Sequence, residues 1–381
     1  MQEPSPIPAI IERNRDVEPL VYASARYGHH GFGRKNKDKL FSMLISTDLH
    51  HCAPRLEAAV AYLNAIPSLD AGLCLGDILA ANHAEEADWY VRGVAQAQKP
   101  FLSTLGNHDM GNSADEAISA TTQMAFEKLI APTAAQIGAD SLLAPYYVRF
   151  FEEYKIAILV LHAFDTPNEK DGAGHYTVHR GTEMLSQAQV DWLVRTLSAM
   201  PSGYHVAIAM HAFPYRHEPE PGPWTQEGKG LGANGWDAPY GDTALLPTLM
   251  QAWADGTACH AAFAPRDARL PTIRVEADFS ARGAGAFIGY FVGHYHRDVV
   301  AHSAAYPQQR IFAFASAADD VWQNYDSDLP RAAGTKAEDL LTVCSIDTEK
   351  REIRLVRIGS SFTTEMTERR YALFSYAPPV Q

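Results

Sequence analysis

The sequence predicts an α/β fold built on a parallel-type sheet. Two observations carry this. Short apolar runs alternate with segments of helical spacing from residue 41 onward, and most of the runs end in Asp, Asn or His. Alternation of strand and helix brings crossover connections and parallel strands. Ligands in such sheets gather outside the carboxyl ends of the strands.

The elements follow in order. Phe41–Thr47 (FSMLIST) reads as a buried strand, and Pro54–Ile66 as a helix with Leu56, Val60 and Leu63 at helical spacing. Ala71–Leu75 is the next strand, His83–Ala97 a helix and Phe101–Leu105 a third strand. Residues 111–145 read as a mostly helical insertion. Tyr146–Phe151 and Lys155–Leu161 read as an antiparallel pair, Ser186–Met200 as a helix and Tyr204–Met210 as a strand. Further strands are expected at Ala286–Val292, Arg310–Ala315, Leu340–Ile346 and Glu352–Arg357. The Pro- and Gly-rich segment 213–242, with Trp224 and Trp236, is too long for a neutral connection and is read as a functional loop. Residues 1–40 form an N-terminal arm in this reading. Residues 41–381 form one domain, with insertions near 111–145 and 213–242.

Composition narrows the function classes. The 381 residues are 46% hydrophobic and 20% charged, which suits a globular chain with a sizeable core. No apolar run reaches the ~18 residues of a membrane span, and the first twenty residues lack a basic segment followed by an apolar one. The expectation is a cytoplasmic protein without a membrane partner. The net charge is −13 and the pI about 5.6. With no Lys/Arg cluster, this argues against nucleic acid as a partner. Cys52, Cys74, Cys259 and Cys344 form no CxxC pair, so neither a disulfide framework nor a thiolate metal site is expected. Sixteen histidines point to nitrogen and oxygen ligands instead. Nothing in the sequence sets the oligomeric state.

Five motifs carry the chemistry. Asp48-Leu49-His50 follows the first strand; at period two in an extended segment both side chains would share one side. Gly76-Asp77 follows the second strand, where one carboxylate could bridge two cations. Gly106-Asn107-His108-Asp109 follows the third. There Asn107 offers a neutral oxygen, His108 is a candidate acid, and Asp109 is placed to orient it. His211 follows the strand YHVAIAM. Gly293-His294-Tyr295-His296 follows AFIGYFV, with two histidines at i and i+2. Taken alone, D-x-H, G-D and a single His are more often polar turns. The G-H-x-H triplet is expected by chance only about 0.05 times in this composition. Five strands ending in buried polar groups would cost about 1–3 kcal/mol for each group left unpaired. A metal cluster is the simplest compensation.

In this ordered series the chain resembles the calcineurin-like metallophosphoesterase superfamily over roughly residues 41–300. The segment Gly181 with Leu185–Leu193 looks like the family helix before the fourth motif. DTEKREIRLVRIG resembles the C-terminal sheet of bacterial members. The resemblance implies a four-layer α-β-β-α sandwich of two mixed sheets and a hydrolase of phosphoric esters. It also implies two divalent or trivalent transition-metal ions (Mn, Fe or Zn). Carried over by position, Asp48, His50, Asp77 and His296 would hold one ion. Asp77, Asn107, His211 and His294 would hold the other. Asn107, His108 and Asp109 are the catalytic candidates. The implied reaction is in-line attack of a metal-bound hydroxide on a phosphate mono- or diester of a small organic molecule or nucleotide. The alternatives are a nuclease, or a metal-binding module that has lost catalysis. One departure stands out. Many members carry a second Asp three residues after the G-D aspartate, and Ala80 occupies that position here.

Other residues read more plainly. His51 suits an exposed turn, His162 a structural role and Cys52 a small packing position. His29, His30 and the 213–242 loop are balanced between pocket wall and surface cover.

Overall fold

The computed structural model describes residues 8–17, 40–80, 86–111, 121–172, 174, 182–214, 218–220, 224–225, 245–265, 268–303, 305–318, 332–360 and 371–377. His29, His30, Trp236 and Gly181 lie outside them.

The first sheet is laid down by β1 (Leu40–Ser46), β2 (Ala71–Cys74) and β3 (Phe101–Ser103). They pair in parallel, with Met43 opposite Ala71 and Gly72 opposite Phe101. Two crossover helices make this possible, α1 (Ala53–Ala65) and α2 (Glu86–Val94). Parallel neighbours need such connections, because a hairpin would return the chain antiparallel.

The second sheet begins with β4 (Tyr147–Phe151) and β5 (Ile156–Val160), an antiparallel pair. Helix α3 (Gln187–Ser198) leads to β6 (His205–Ala209), which runs parallel to β5. Ser186 caps α3, its hydroxyl accepting from the Gln189 amide. The short β7 (Glu218–Pro219) precedes α4 (Leu245–Asp255) and a separate hairpin of β8 (Ala258–Phe263) and β9 (Ile273–Asp278). Then come β10 (Ala286–Val292), β11 (Val299–Ser303) and β12 (Tyr306–Ala313). The order across this sheet is β4-β5-β6-β10-β12-β11-β7, parallel through β5, β6, β10 and β12.

The chain finally returns to the first sheet with β13 (Leu340–Asp347), β14 (Glu352–Gly359) and β15 (Tyr371–Ser375). The order there is β15-β14-β13-β1-β2-β3, with β13 antiparallel to β1. Both sheets are mixed. Helix α1 packs on β1 and β2, while α4 packs on β10 and β12. The layers are therefore helix, sheet, sheet, helix: the expected α/β sandwich. β1, β5, β13 and β14 are buried along nearly their whole length, as strands covered on both faces must be.

Of the described part of the first insertion, residues 122–137 are helical and 138–145 form turns. The helical part steps from a short α turn (Thr122–Ala125) through π and 3-10 turns to Ala134–Ile137.

A buried ion pair ties the two sheets together. Arg357 on β14 meets the Asp298 carboxylate, which lies between β10 and β11. Asp298 also accepts from the Ala315 amide at 3.0 Å, and Trp224 lies against the guanidinium at 5.2 Å. Trp224 is buried; the rest of the loop from 226 to 242 lies outside the described residues. Removing one member of such a pair strands the other charge, at a cost of about 3–5 kcal/mol. Asp298→Ala should therefore lower unfolding stability in denaturant by about that amount. A loss under about 1 kcal/mol would show that the pair does not bind the sheets together.

Candidate metal centre

Every predicted ligand sits just past the carboxyl end of a parallel strand. Asp48 and His50 follow β1, Asp77 follows β2, Asn107 follows β3, His211 follows β6, and His294 and His296 follow β10. The two sheets bring these ends to one edge. Asp48, His50, Asp77 and His296 each present a ligand atom within 4.8 Å of the others. Asp77, His211 and His294 do the same, so Asp77 belongs to both sets.

The local geometry differs from the extended segments expected at D-x-H and H-x-H. Asp48, His50, Asp77, His294 and His296 all have positive φ, from 42° to 70°. These are left-handed conformations that bulky side chains rarely adopt. Each residue therefore turns its side chain inward from a tight loop, and period-two alternation plays no part. Backbone pairing beyond the strand ends holds the loops: the Asp48, His50 and His51 amides donate to the carbonyls of Gly76, Asp77 and Ile78 at 2.9–3.0 Å. Glycines admit the close approach. A Cβ at Gly106 would lie 2.1 Å from Asp77 Oδ1, and one at Gly293 would lie 2.0 Å from Thr47 Oγ1.

The cluster is buried except for His294, which is half-buried. His211 Nδ1 donates to the Leu75 carbonyl at 2.6 Å, which turns Nε2 toward Asp77 Oδ2 at 3.1 Å. His50 Nε2 faces His296 Nε2 at 3.1 Å, and His211 Nε2 faces His294 Nδ1 at 3.3 Å. Two facing ring nitrogens need a proton or a cation between them. Asn107 Oδ1 is buried and has no hydrogen-bond partner among the described residues. These features fit a pair of cations, and the all-nitrogen-and-oxygen donor set suits Mn, Fe or Zn.

Electrostatics agree. Burial alone would raise the Asp48 carboxyl, yet His296 and His211 hold it at about 2. Burial opposes the Asp77 charge as well, and His211 and His108 keep its pKa well below the usual range. Burial pushes His50 down to about 4 and His294 to about 3, so both are neutral, as ligands must be. His211 differs: burial lowers it, but Asp77 and Asp48 more than offset this and raise it to about 9.

Two catalytic candidates are placed differently from expectation. Asp109 does not orient His108. Its carboxylate is turned inward and accepts from the Gly106 and Leu79 amides, each at 2.8 Å. Burial, then the Asp77 charge, pushes it up to about 7. His108 is instead held through Nδ1, which donates to the Ala80 carbonyl at 2.7 Å. The backbone of Ala80 thus fixes the ring with no side-chain carboxylate at that position. His108 is half-buried at the cluster's rim, its ring 4.8 Å from that of His50, and its amide donates to Asp77 Oδ1 at 2.9 Å. Sequence reasoning also missed Glu183, whose Oε1 lies 4.0 Å from His294 Nε2. It stands in no motif, so only the fold could place it. His51 is exposed and stacked on Trp89 at 5.6 Å. His162 is buried in a network in which its amide donates to Gln189 Oε1 at 2.8 Å. Cys52 lies half-buried at the start of α1.

The model of the calcineurin-like phosphoesterase family matches residues 41–233. The chain belongs to that family. The match ends before Gly293–His296, which the fold brings to the same cluster. Among solved structures, the chain is similar to TT1561 of Thermus thermophilus at 11% identity and a TM-score of 0.42, covering 84% of this chain and 99% of that one. It is similar to the phosphopantetheinyl hydrolase of Mycobacterium tuberculosis at 12% identity and 0.38, covering 76% and 94%. It is also similar to a purple acid phosphatase from yellow lupin seeds at 8% identity and 0.44, covering 85% of this chain and 52% of that one. No curated protein matches the chain. Among the described residues no helix is long and apolar enough to cross a membrane.

Without metal, His211 keeps its proton up to about 9 against an ordinary value of 6.5. The stability its ion pairs supply is full below about 6.5 and lost as pH rises through about 9. A cation must displace this proton, so Mn²⁺ affinity should rise with pH up to about 9. Calorimetry at pH 7 in buffers of different ionisation enthalpy should register release of about one proton per chain. Binding without proton release would contradict this protonation pattern.

Proposed function

We propose that this phosphoesterase acts on mono- or diesters of a small phosphorylated molecule, with two transition-metal ions shared across Asp77. The position of Asp77 in both ligand sets supports this reading most strongly. Cations held there would neutralise phosphate charge and lower the pKa of water toward neutrality. Asp48, His50 and His296 would fix one side of the site; Asn107, His211 and His294 would fix the other. The fixed imidazoles and carboxylates are pre-oriented by their own hydrogen bonds, so little reorganisation accompanies the reaction.

Among the described residues, His108 stands at the rim of the cluster. Its Nδ1–H is committed to the Ala80 carbonyl, so contact with the substrate would fall to Nε2. When the ring is protonated, Nε2–H can donate to the leaving oxygen as the ester bond breaks. Asp109 would act indirectly, by pinning the Gly106 and Leu79 backbone on either side of His108. The formal charge of −13 favours a small anion drawn in by the cations over a polyanionic nucleic acid.

Hydrolysis of para-nitrophenyl phosphate and bis-para-nitrophenyl phosphate with added Mn²⁺ tests this reading. Turnover should need the metal and fall by more than about a hundredfold in Asp77→Ala. His108→Ala should lower kcat by about 10²-fold or more while metal content stays unchanged. Failure of both esters and of small nucleotides, with metal bound, would overturn the catalytic reading. Preferential cleavage of single-stranded DNA or RNA would favour the nuclease alternative.

A further inference from the structure

A second cavity lies at the opposite end of β6 and β10. Its volume is about 310 Å³, and Arg282, Arg351, His205, Gln251, Tyr204 and Phe287 are among its walls. This size falls at the lower end of small-molecule pockets. His205 opens β6 and His211 follows its far end. At about 3.3 Å per residue, the cavity lies roughly 20 Å from the metal centre.

The charges around it are unbalanced. Neither Arg282 nor Arg351 has a carboxylate partner among the described residues. Arg282 stacks on the Trp253 ring at 4.5 Å and donates through one terminal nitrogen to the Gly283 carbonyl at 3.1 Å. Its Nε is buried with no hydrogen-bond partner, and burial lowers its pKa. Arg351 donates to the Ala377 carbonyl. The one carboxylate among the described wall residues, Asp255, accepts from Gln251 at 2.9 Å. His205, pushed down to about 4 by burial and by Arg351, adds no charge at neutral pH. Two guanidiniums without a carboxylate partner among the described residues thus line one cavity in a chain whose net charge is −13. Guanidinium is the side chain best suited to phosphate and carboxylate. Tyr204, Phe287 and the alanines of the wall offer an apolar surface beside them.

We propose that this cavity is a second binding site, separate from the metal centre, for a small organic oxyanion: a phosphate or carboxylate carried on a compact apolar body. The two arginines hold the anionic group, and the aromatic and alanine wall holds the body.

Calorimetric titration of the full chain carrying Asp77→Ala, with chelator present, tests the site without any contribution from metal-bound phosphate. The probes are phenyl phosphate, benzoate and inorganic phosphate. Phenyl phosphate or benzoate should bind with a Kd of about 1 mM or tighter, and bare phosphate more weakly. Phenyl phosphate ahead of benzoate would assign the phosphate group, and the reverse order the carboxylate. Arg282→Gln and Arg351→Gln should each weaken binding by roughly ten- to a hundredfold. Arg282→Gln leaves the Arg351 contact to Ala377 intact, and an unchanged unfolding midpoint would show that its fold is kept. Binding weaker than about 10 mM for all three probes, or equal affinity in both arginine variants, would overturn the proposal. Because every arm lacks the Asp77 carboxylate, the result is independent of the phosphoesterase reading.

Discussion

The burial of Asp77 is the constraint on which the rest of the active edge depends. A carboxylate removed from water is costly unless it is compensated on every side. Here one oxygen takes the His108 amide and the other meets His211 Nε2. Asp48 adds a second buried carboxylate beside it, answered by His296. The negative charges of this cluster and its facing imidazole nitrogens balance only if cations or protons are shared among them. The strained loops follow from the same demand. Five of the predicted ligands occupy left-handed backbone, each at a cost of order 1–3 kcal/mol that the surrounding structure must over-determine. The backbone ladder from residues 48–51 to 76–78 and the glycines at 106 and 293 supply that determination.

The sandwich explains why residues more than 200 positions apart meet. Parallel strands point the same way, so β1, β2 and β3 deliver their loops to one edge of the first sheet, and β6 and β10 deliver theirs to the facing edge of the second. The Arg357–Asp298 pair joins a C-terminal strand of the first sheet to the segment two residues beyond His296. The late part of the chain thereby positions a loop whose chemistry was set up by the early part. The other end of β6 and β10 carries the arginine-lined cavity. The same two strands therefore span both sites.

Much of this was legible in the residues. Apolar runs such as FSMLIST and AFIGYFV marked buried strands because both faces of a covered parallel sheet are apolar. The motifs after them carried the donor types, and six of the seven candidate ligands converge in two sets that share Asp77. What failed was inference about local shape. Period-two reasoning assumed extended backbone, and the left-handed turns at Asp48, His50, His294 and His296 leave no mark in residue type. The partner of His108 was hidden for a related reason: a backbone carbonyl is present at every position, so Ala80 shows nothing in the sequence. Hairpin strand β9 alternates Ile273, Val275 and Ala277 with Arg274, Glu276 and Asp278, a period-two signal diluted by its charged face. The Arg357–Asp298 pair and Glu183 depend on contacts across the fold, which no local pattern encodes.

One buried aspartate, Asp77, belongs to two sets of ligands that together would hold two cations. Metal stoichiometry tests this most directly. Elemental analysis of the full chain after loading with Mn²⁺ and removal of excess should give about two ions per chain, and His296→Ala, which alters one set alone, should retain about one. A single ion in the unaltered chain, or no change in His296→Ala, would contradict the account.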